Sequence, residues 1–250
     1  SGTVANNVVE NSASGQHVYT VTASDSADIS GGVSYSLADD SDGSFSIDAE
    51  GKVTFTASAD YEQQSSYSFS VVATDAAGNA SVAQSVTLDI NNLDEVAPAI
   101  TSGSTAAVID ENSGAGQVIY TATADDSADI SGGVTFSLND ASEALSINAN
   151  TGRVTLSENP DFETADTYDF VVVATDAAGN SSEQSVSLSI NNMDETAPSI
   201  SSETAVSVDE NSGAGQAVYT AVASDDADIS AGVSFSLAEG SDSALSIDAN

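Results

Sequence analysis

The same loops return along this chain about every hundred residues, and that period limits what it can fold into. Glu10-Asn11-Ser12 comes back as Glu111-Asn112-Ser113 and again as Glu210-Asn211-Ser212. Ala73-Thr74-Asp75-Ala76-Ala77-Gly78-Asn79 returns unchanged at 174–180, and Asn91 to Pro98 returns at 191–198 with Met193 and Thr196 as its changes. The step is 101 residues from Glu10 to Glu111 and 100 from Pro98 to Pro198. A unit of that length is a domain, not the turn of a solenoid. The two Ala-Pro steps divide the chain into repeats at 1–97 and 98–197, with the first half of a third at 198–250. We therefore expect a stretch cut from a longer array.

Within the first repeat, apolar and polar residues alternate in short runs bounded by Gly, Asp, Asn and Ser. These runs predict seven strands, near 4–9, 17–24, 33–37, 44–48, 52–56, 67–74 and 80–91. Tyr67, Phe69, Val71 and Ala73 alternate with Ser68, Ser70, Val72 and Thr74, so the first set should face a core. No stretch has a helical period. The expected architecture is all-β: tandem seven-stranded Greek-key sandwiches of cadherin-like or immunoglobulin-like type, stacked head to tail. Membrane barrels also alternate, but the period and the acidic turns argue against one.

Charge narrows the function. There are 39 Asp plus Glu against 2 Lys plus Arg, for a formal net charge of -37. Nucleic acid is excluded, because binding it requires cations that displace counterions from phosphates. Anionic membranes are excluded for the same reason, and no run is long and apolar enough to insert. With no Cys, disulfides and thiolate metal sites are impossible. One His and no Cys leave few nucleophile–base pairs, and no aromatic-rich cleft motif accompanies the carboxylates, so we expect no enzyme. His17 stands where the other repeats have Val118 and Ala217, which reads as an exposed strand residue. Lys52 and Arg153 each follow a Gly and read as solvated turn residues. Asp39, Asp40 and Asp42 give way to Asn139, Asp140, Ala141 and Ser142 in the second repeat, which marks them as solvation or an occasional extra ligand. Asp40-Ser41-Asp42-Gly43 lacks the first Asp and the later Glu of an EF-hand loop.

The remaining acids gather at the repeat ends. If successive strands alternate in direction, Glu10, Asp60, Glu62, Asn92, Asp94 and Glu95 reach the bottom of the first repeat. Asp126, Asp129 and Asp176 reach the top of the second, so one junction collects all nine. The next junction collects Glu111, Asp161, Glu163, Asn192, Asp194, Glu195, Asp225 and Asp228. In the turns Asp60-Tyr61-Glu62 and Asp161-Phe162-Glu163 the aromatic should pack inward and both acids point out. Carboxylates this crowded repel one another. A hard divalent cation relieves that, and calcium, which accepts about 6–8 oxygens in flexible geometry, suits the set better than magnesium. Asp25, Asp28 and Asp75 sit at the top of the first repeat without an upstream linker and should bind calcium weakly.

Four motifs in fixed order carry a family resemblance: Glu-Asn, Asp-x-Glu, Ala-x-Asp-x-x-Gly and the linker Asn-x-Asp-Glu-x-x-Pro. Together they resemble the cadherin repeat, and in particular the bacterial cadherin-like repeats of large secreted adhesins. The match departs from the family in having two residues between the paired acids, and in having Asn92 and Glu95 where Asp is common. The resemblance implies about three calcium ions per junction. It also implies a calcium-rigidified stalk at a bacterial cell surface, whose partners are adjacent repeats and, through lateral self-association, other copies. The alternative is a self-assembling extracellular filament, sheath or surface layer. A strand of about 12 residues is roughly 40 Å long, which sets the reach each repeat adds.

Overall fold

The computed structural model describes residues 1–26, 31–139, 142–230 and 232–249. Asp28, Asp140 and Ala141 lie outside the described residues. The chain forms two compact units. The first comprises Ser1–Ala97, Asp126–Gly133 and Asp176–Asn180; the second comprises Pro98–Asp125, Val134–Thr175 and Ser181–Asn250.

The first repeat contains β1 (Val8–Val9), β2 (Gln16–Thr20), β3 (Val33–Leu37), β4 (Phe45–Ile47), β5 (Lys52–Phe55), β6 (Ser66–Asp75) and β7 (Gln84–Asn91). They form one sheet in the order β1-β7-β6-β3 and a second in the order β2-β5-β4. β1 runs parallel to β7, and every other pairing is antiparallel. This agrees with alternating strand direction along the chain.

Both sheets turn apolar faces to one core. Val18, Tyr19, Phe45, Val53 and Phe55 come from the second sheet, and Tyr67, Phe69, Val86, Leu88 and Ile90 from the first. Phe45 and Phe69 interlock across it with ring centroids 4.6 Å apart, as do Phe55 and Tyr67 at 4.8 Å. Tyr67, Phe69 and Val71 are buried as the alternation requires, while Ala73 is only half-buried near the end of β6. Ser70 is buried although it belongs to the polar set. The turn after β3 covers it: its N–H donates to Ser41 Oγ at 3.0 Å and its hydroxyl to Asp40 Oδ2 at 3.2 Å. Asp40 and Asp42 are thus local fasteners, since Asp42 Oδ1 also accepts the Ser44 N–H at 3.0 Å.

Three strand bounds fall four residues short of expectation, and the others agree to within one residue. β1 shortens to two residues because the Asn6 N–H reaches over to the Val18 carbonyl of the other sheet. β2 stops at Thr20, with a register shift between His17 and Tyr19. β7 begins at Gln84, and only the isolated bridge Thr74–Ala80 precedes it.

The second repeat contains β8 (Ala99–Ile100), β9 (Ile109–Asp110), β10 (Gln117–Thr121), β11 (Ala124–Asp125), β12 (Thr135–Asn139), β13 (Leu145–Ile147), β14 (Arg153–Leu156), β15 (Thr167–Thr175) and β16 (Ser181–Asn191). Its sheets, β12-β15-β16-β9 and β10-β14-β13, repeat the first topology, and a short β11-β8 pair is added. Leu145 and Leu156 occupy the core positions of Phe45 and Phe55. Among the described residues of the third repeat, β17 (Ser199–Ile200) and β18 (Ala223–Ser224) are the strands, and they pair antiparallel.

A tyrosine ties each repeat's leading segment to its body. Tyr19 donates its hydroxyl to the Gly2 carbonyl, and Tyr120 donates to the Gly103 carbonyl at 2.5 Å, each reaching 17 residues back.

Candidate metal centre

The Glu-Asn turn after β1 requires a left-handed residue. Asn11, Asn112 and Asn211 supply it with φ of 56°, 55° and 65°, a conformation that Asn tolerates better than most side chains. The turn swings Glu10 inward, where it is 2% exposed. Glu10 Oε2 accepts the Tyr61 N–H at 2.8 Å and Oε1 accepts the Leu93 N–H at 2.5 Å. One carboxylate therefore fastens the Asp-x-Glu turn to the chain after β7. The Leu93 N–H, opposed by burial and aided by the Tyr61 N–H, holds the Glu10 carboxyl below the ordinary glutamate range.

Asp60 heads its turn by accepting the Gln63 N–H at 2.9 Å. Carboxylate oxygens of Glu10, Asp60 and Glu62 all lie within 4.8 Å of one another. The Glu62 N–H lowers its own carboxyl, but burial and the charges of Glu10 and Asp129 outweigh it and leave the group raised.

Asp94, Asp126 and Asp176 form a second group, and the charge of Asp129 acts on both groups. Asn92 donates to Asp129 Oδ1 at 3.0 Å. Burial, followed by the charges of Asp176 and Asp126, raises the Asp94 carboxyl, and Asp129 adds to the effect. Asp176 moves the other way. Burial pushes it up, but the Asn180 side chain and the N–H groups of Asn180 and Gly179 prevail and hold it low. Asp126 and Asp176 are both buried.

Four oxygens in this group are buried with no hydrogen-bond partner: Asn92 Oδ1, Asp94 Oδ1, Asp126 Oδ2 and Asp129 Oδ2. An oxygen removed from water without a donor is costly, and several aimed into one region are the donor set of a hard cation. The residues present therefore fit calcium. Glu95 is not drawn into either group; it is exposed and accepts from Asn11 Nδ2 at 3.1 Å.

The second unit carries a related centre with a different arrangement. Glu111 is 3% exposed and accepts the Phe162 and Met193 N–H groups at 2.9 and 2.5 Å. Here Glu195, although exposed, joins the cluster: carboxylate oxygens of Glu111, Glu163 and Glu195 lie within 4.8 Å of one another. Burial, then Glu111, Glu163 and Asp228, pushes the Glu195 carboxyl up to about 7. Asn192 donates to Glu163 Oε1 at 3.4 Å while its own Oδ1 is buried without a partner, and the Glu195 N–H donates to Asp228 Oδ2 at 3.2 Å. Asp161 heads its turn through the Thr164 N–H at 3.0 Å. Asp225 accepts instead from Ser230 at 3.2 Å, and Asp194 is exposed.

The aromatic between the two turn acids behaves as expected only once. Phe162 packs against the core, but Tyr61 is exposed, and the first core is built from Phe45, Phe55, Tyr67 and Phe69 packed on one another without it. At the top of the first repeat, Asp25 Oδ2 is buried without a partner and Asp75 is held low by the Asn79 side chain.

The Cadherin domain model matches residues 6–91 and 105–191, which include Glu10, Asp60, Glu62, Glu111 and Glu163. The chain belongs to the cadherin domain family. Its repeats are therefore tandem cadherin domains, extracellular modules of adhesion type. Protocadherin alpha-2 of Pan troglodytes is 31% identical over 247 residues, covering 93% of this chain and 26% of that protein. Cadherin-4 of Caenorhabditis elegans is 27% identical over 161 residues, 64% of this chain and 4% of that protein. The chain thus spans only a small part of these relatives' length. Among solved structures, mouse Cadherin-23 EC22-24 matches with a TM-score of 0.61 at 26% identity, covering 87% of this chain and 73% of that one. Among the described residues of the cadherin repeats, no helix is long and apolar enough to cross a membrane.

Residue-type reasoning missed the asparagines of the cadherin repeats that hold two of the turn acids. Asn180 fixes Asp176 through Oδ2 at 3.0 Å and also donates to the Asp94 carbonyl at 2.9 Å. Asn79 likewise donates its side-chain amide to Asp75 Oδ2 at 2.7 Å. The unchanged recurrence of the Asn in Ala-Thr-Asp-Ala-Ala-Gly-Asn was the available signal.

Proposed function

We propose that both centres bind calcium and that the bound ions hold consecutive cadherin repeats in a fixed relation, making this chain an extender in the stalk of a bacterial surface adhesin. The observation that carries the reading is the set of four buried, unpartnered oxygens of Asn92, Asp94, Asp126 and Asp129. Glu10, Asp60, Glu62 and Asp176 would complete the ligand set in the first centre. In the second, Glu111, Glu163, Glu195, Asn192 and Asp228 would serve, with Asp161, Asp194 and Asp225 nearby in sequence or turn. Calcium would supply positive charge and fill coordination positions that the protein's own donors leave open. Near-verbatim recurrence of the loops at 73–79 and 174–180 suits a region selected for length and stiffness. Domains in tandem move relative to one another unless something locks them.

Small-angle scattering of the chain in calcium and in EDTA tests this. The expected result is a rigid particle that becomes flexible on chelation. An unchanged maximum dimension and flexibility would refute it. A filament or sheath built of the same repeats is the second reading, favoured by the uncharged edge strand β3. Ordered bundles of the isolated chain in electron micrographs would select it.

A further inference from the structure

Each sandwich has four edge strands, and in the first repeat three of them are guarded. β1 has two residues, β4 has three, and β2 carries the register shift between His17 and Tyr19. Short edges and bulges are the ordinary defences against pairing with another chain. β3 has neither. It is five residues long, in continuous antiparallel register with β6, and residues 31–38 contain no charged side chain and no proline.

Its backbone is available. The Ala38 N–H donates to the Ser70 carbonyl at 2.8 Å, extending the ladder in which Leu37 faces Val71. Hydrogen bonding alternates along an antiparallel strand. Ala38, Ser36 and Ser34 therefore turn their amides toward β6, while Val33, Tyr35 and Leu37 turn theirs to the open side. Among the described residues the Tyr35 N–H has no backbone partner there. In the second repeat the equivalent group is closed off: the Phe136 N–H donates to the Ala149 carbonyl at 2.9 Å. The two turns also differ in length. The turn Asn148-Ala149-Asn150-Thr151-Gly152 is one longer than Asp48-Ala49-Glu50-Gly51.

We propose that β3 is a self-association edge, which pairs antiparallel with β3 of a second copy of this chain. The segment Val33-Ser34-Tyr35-Ser36-Leu37 has the same polarity pattern in both directions. A two-fold axis at Tyr35 sets Tyr35 opposite Tyr35, Val33 opposite Leu37 and Ser34 opposite Ser36. The outward amides then meet in hydrogen-bonded pairs, hydroxyls meet hydroxyls on the exposed face, and no carboxylate opposes another along the strand. That self-complementarity is what an isologous interface requires and what an unrelated strand would not supply. None of the proposed cation ligands takes part. The interface is smaller than the standard of about 1,600 Å², so association should be weak, within about 10 µM to 1 mM.

The chain has no Cys, which permits a register test in saturating calcium. Mixing Ser34→Cys with Ser36→Cys chains should give a disulfide-linked dimer at least about tenfold faster than either variant alone, because Ser34 opposes Ser36 of the other copy in a non-hydrogen-bonded pair, where α-carbons are close enough to bridge. The control mixture, Thr135→Cys with Ser137→Cys, should not cross-link selectively. Equal rates in all mixtures, or no dimer, overturn the proposal. Sedimentation velocity supplies the second arm. Wild type should associate with rising concentration, the double variant Ser34→Asp with Ser36→Asp should stay monomeric, and mixing it with Ser34→Lys with Ser36→Lys should restore a dimer. A wild type that stays monomeric, or an Asp variant that associates equally, refutes the edge while leaving the calcium reading intact.

Discussion

Asp129→Asn is the most revealing single change, because it should reverse sign with calcium. The substitution keeps size and shape. It retains an oxygen to accept from Asn92 Nδ2, now at 3.0 Å, and replaces the buried, unpartnered Oδ2 with an amide nitrogen. Asp129 acts on both acidic groups of the first unit, raising Glu62 on one side and Asp94 on the other. If each group holds a cation, losing one shared charged ligand should weaken both. A tenfold loss at each is about 1.4 kcal/mol, so two sites lose about 2–3 kcal/mol of calcium-linked stability at saturation. For a unit of roughly 100 residues, that lowers Tm by roughly 10–20 °C. In EDTA the balance inverts. The variant removes a like charge and supplies a donor to crowded carboxylates, so it should melt at or above the wild type. Calorimetric melts of both proteins, in millimolar calcium and in EDTA, read this directly. A variant that melts lower by the same amount in both conditions would show that Asp129 acts through packing alone, and the cation argument would fail.

Three further outcomes are expected. Glu62→Ala should lower calcium affinity in the first centre and leave the second nearly unchanged, as titration calorimetry would resolve, since distant sites act independently. The Glu195 carboxyl, pushed up to about 7, holds its proton more tightly folded than unfolded. Its contribution to calcium-free stability is therefore full below the ordinary glutamate range and is lost as pH rises through about 7, and melts in EDTA at pH 5, 6 and 8 should show that decline flattened in Glu195→Gln. Phe162→Ala should cost about 1–3 kcal/mol in urea melts, because its ring packs on the core, whereas Tyr61→Ala should be nearly silent.

The sandwich was legible because one face of each strand is buried, which forces the period-two pattern onto residues such as Tyr67, Phe69, Val86 and Leu88. Strand polarity was legible as well, since alternating direction needs only chain order, and that was enough to bring Asp94 beside Asp126 and Asp176. What escaped was anything decided by backbone amides or by a neighbour's bulk. The Leu93 and Met193 N–H groups orient the buried glutamates, yet a backbone donor leaves no mark on residue type. Glu95 and Glu195 share one motif position but face different ways, Glu95 toward Asn11 and Glu195 toward Glu163. Tyr61 and Phe162 also diverge: only Phe162 packs on its core, and the two cores differ in having phenylalanines in the first where the second has leucines.

The parallel pairing of β1 with β7 has a mechanical consequence. Val8 faces Ile90, Val9 faces Asn91, and the Ala5 and Glu10 N–H groups donate to Thr87 and Asn91 carbonyls at 2.8 and 3.1 Å. The chain enters the repeat along β1 and leaves along β7, both pointing the same way. A load pulling entry from exit slides one strand along the other, so these bonds resist in shear and share the force; an antiparallel pair gripped at one end would peel open bond by bond. The Tyr19 hydroxyl on Gly2 adds an anchor upstream of that shear clamp. Under flow or traction, rupture of the first repeat must therefore begin with several bonds failing together.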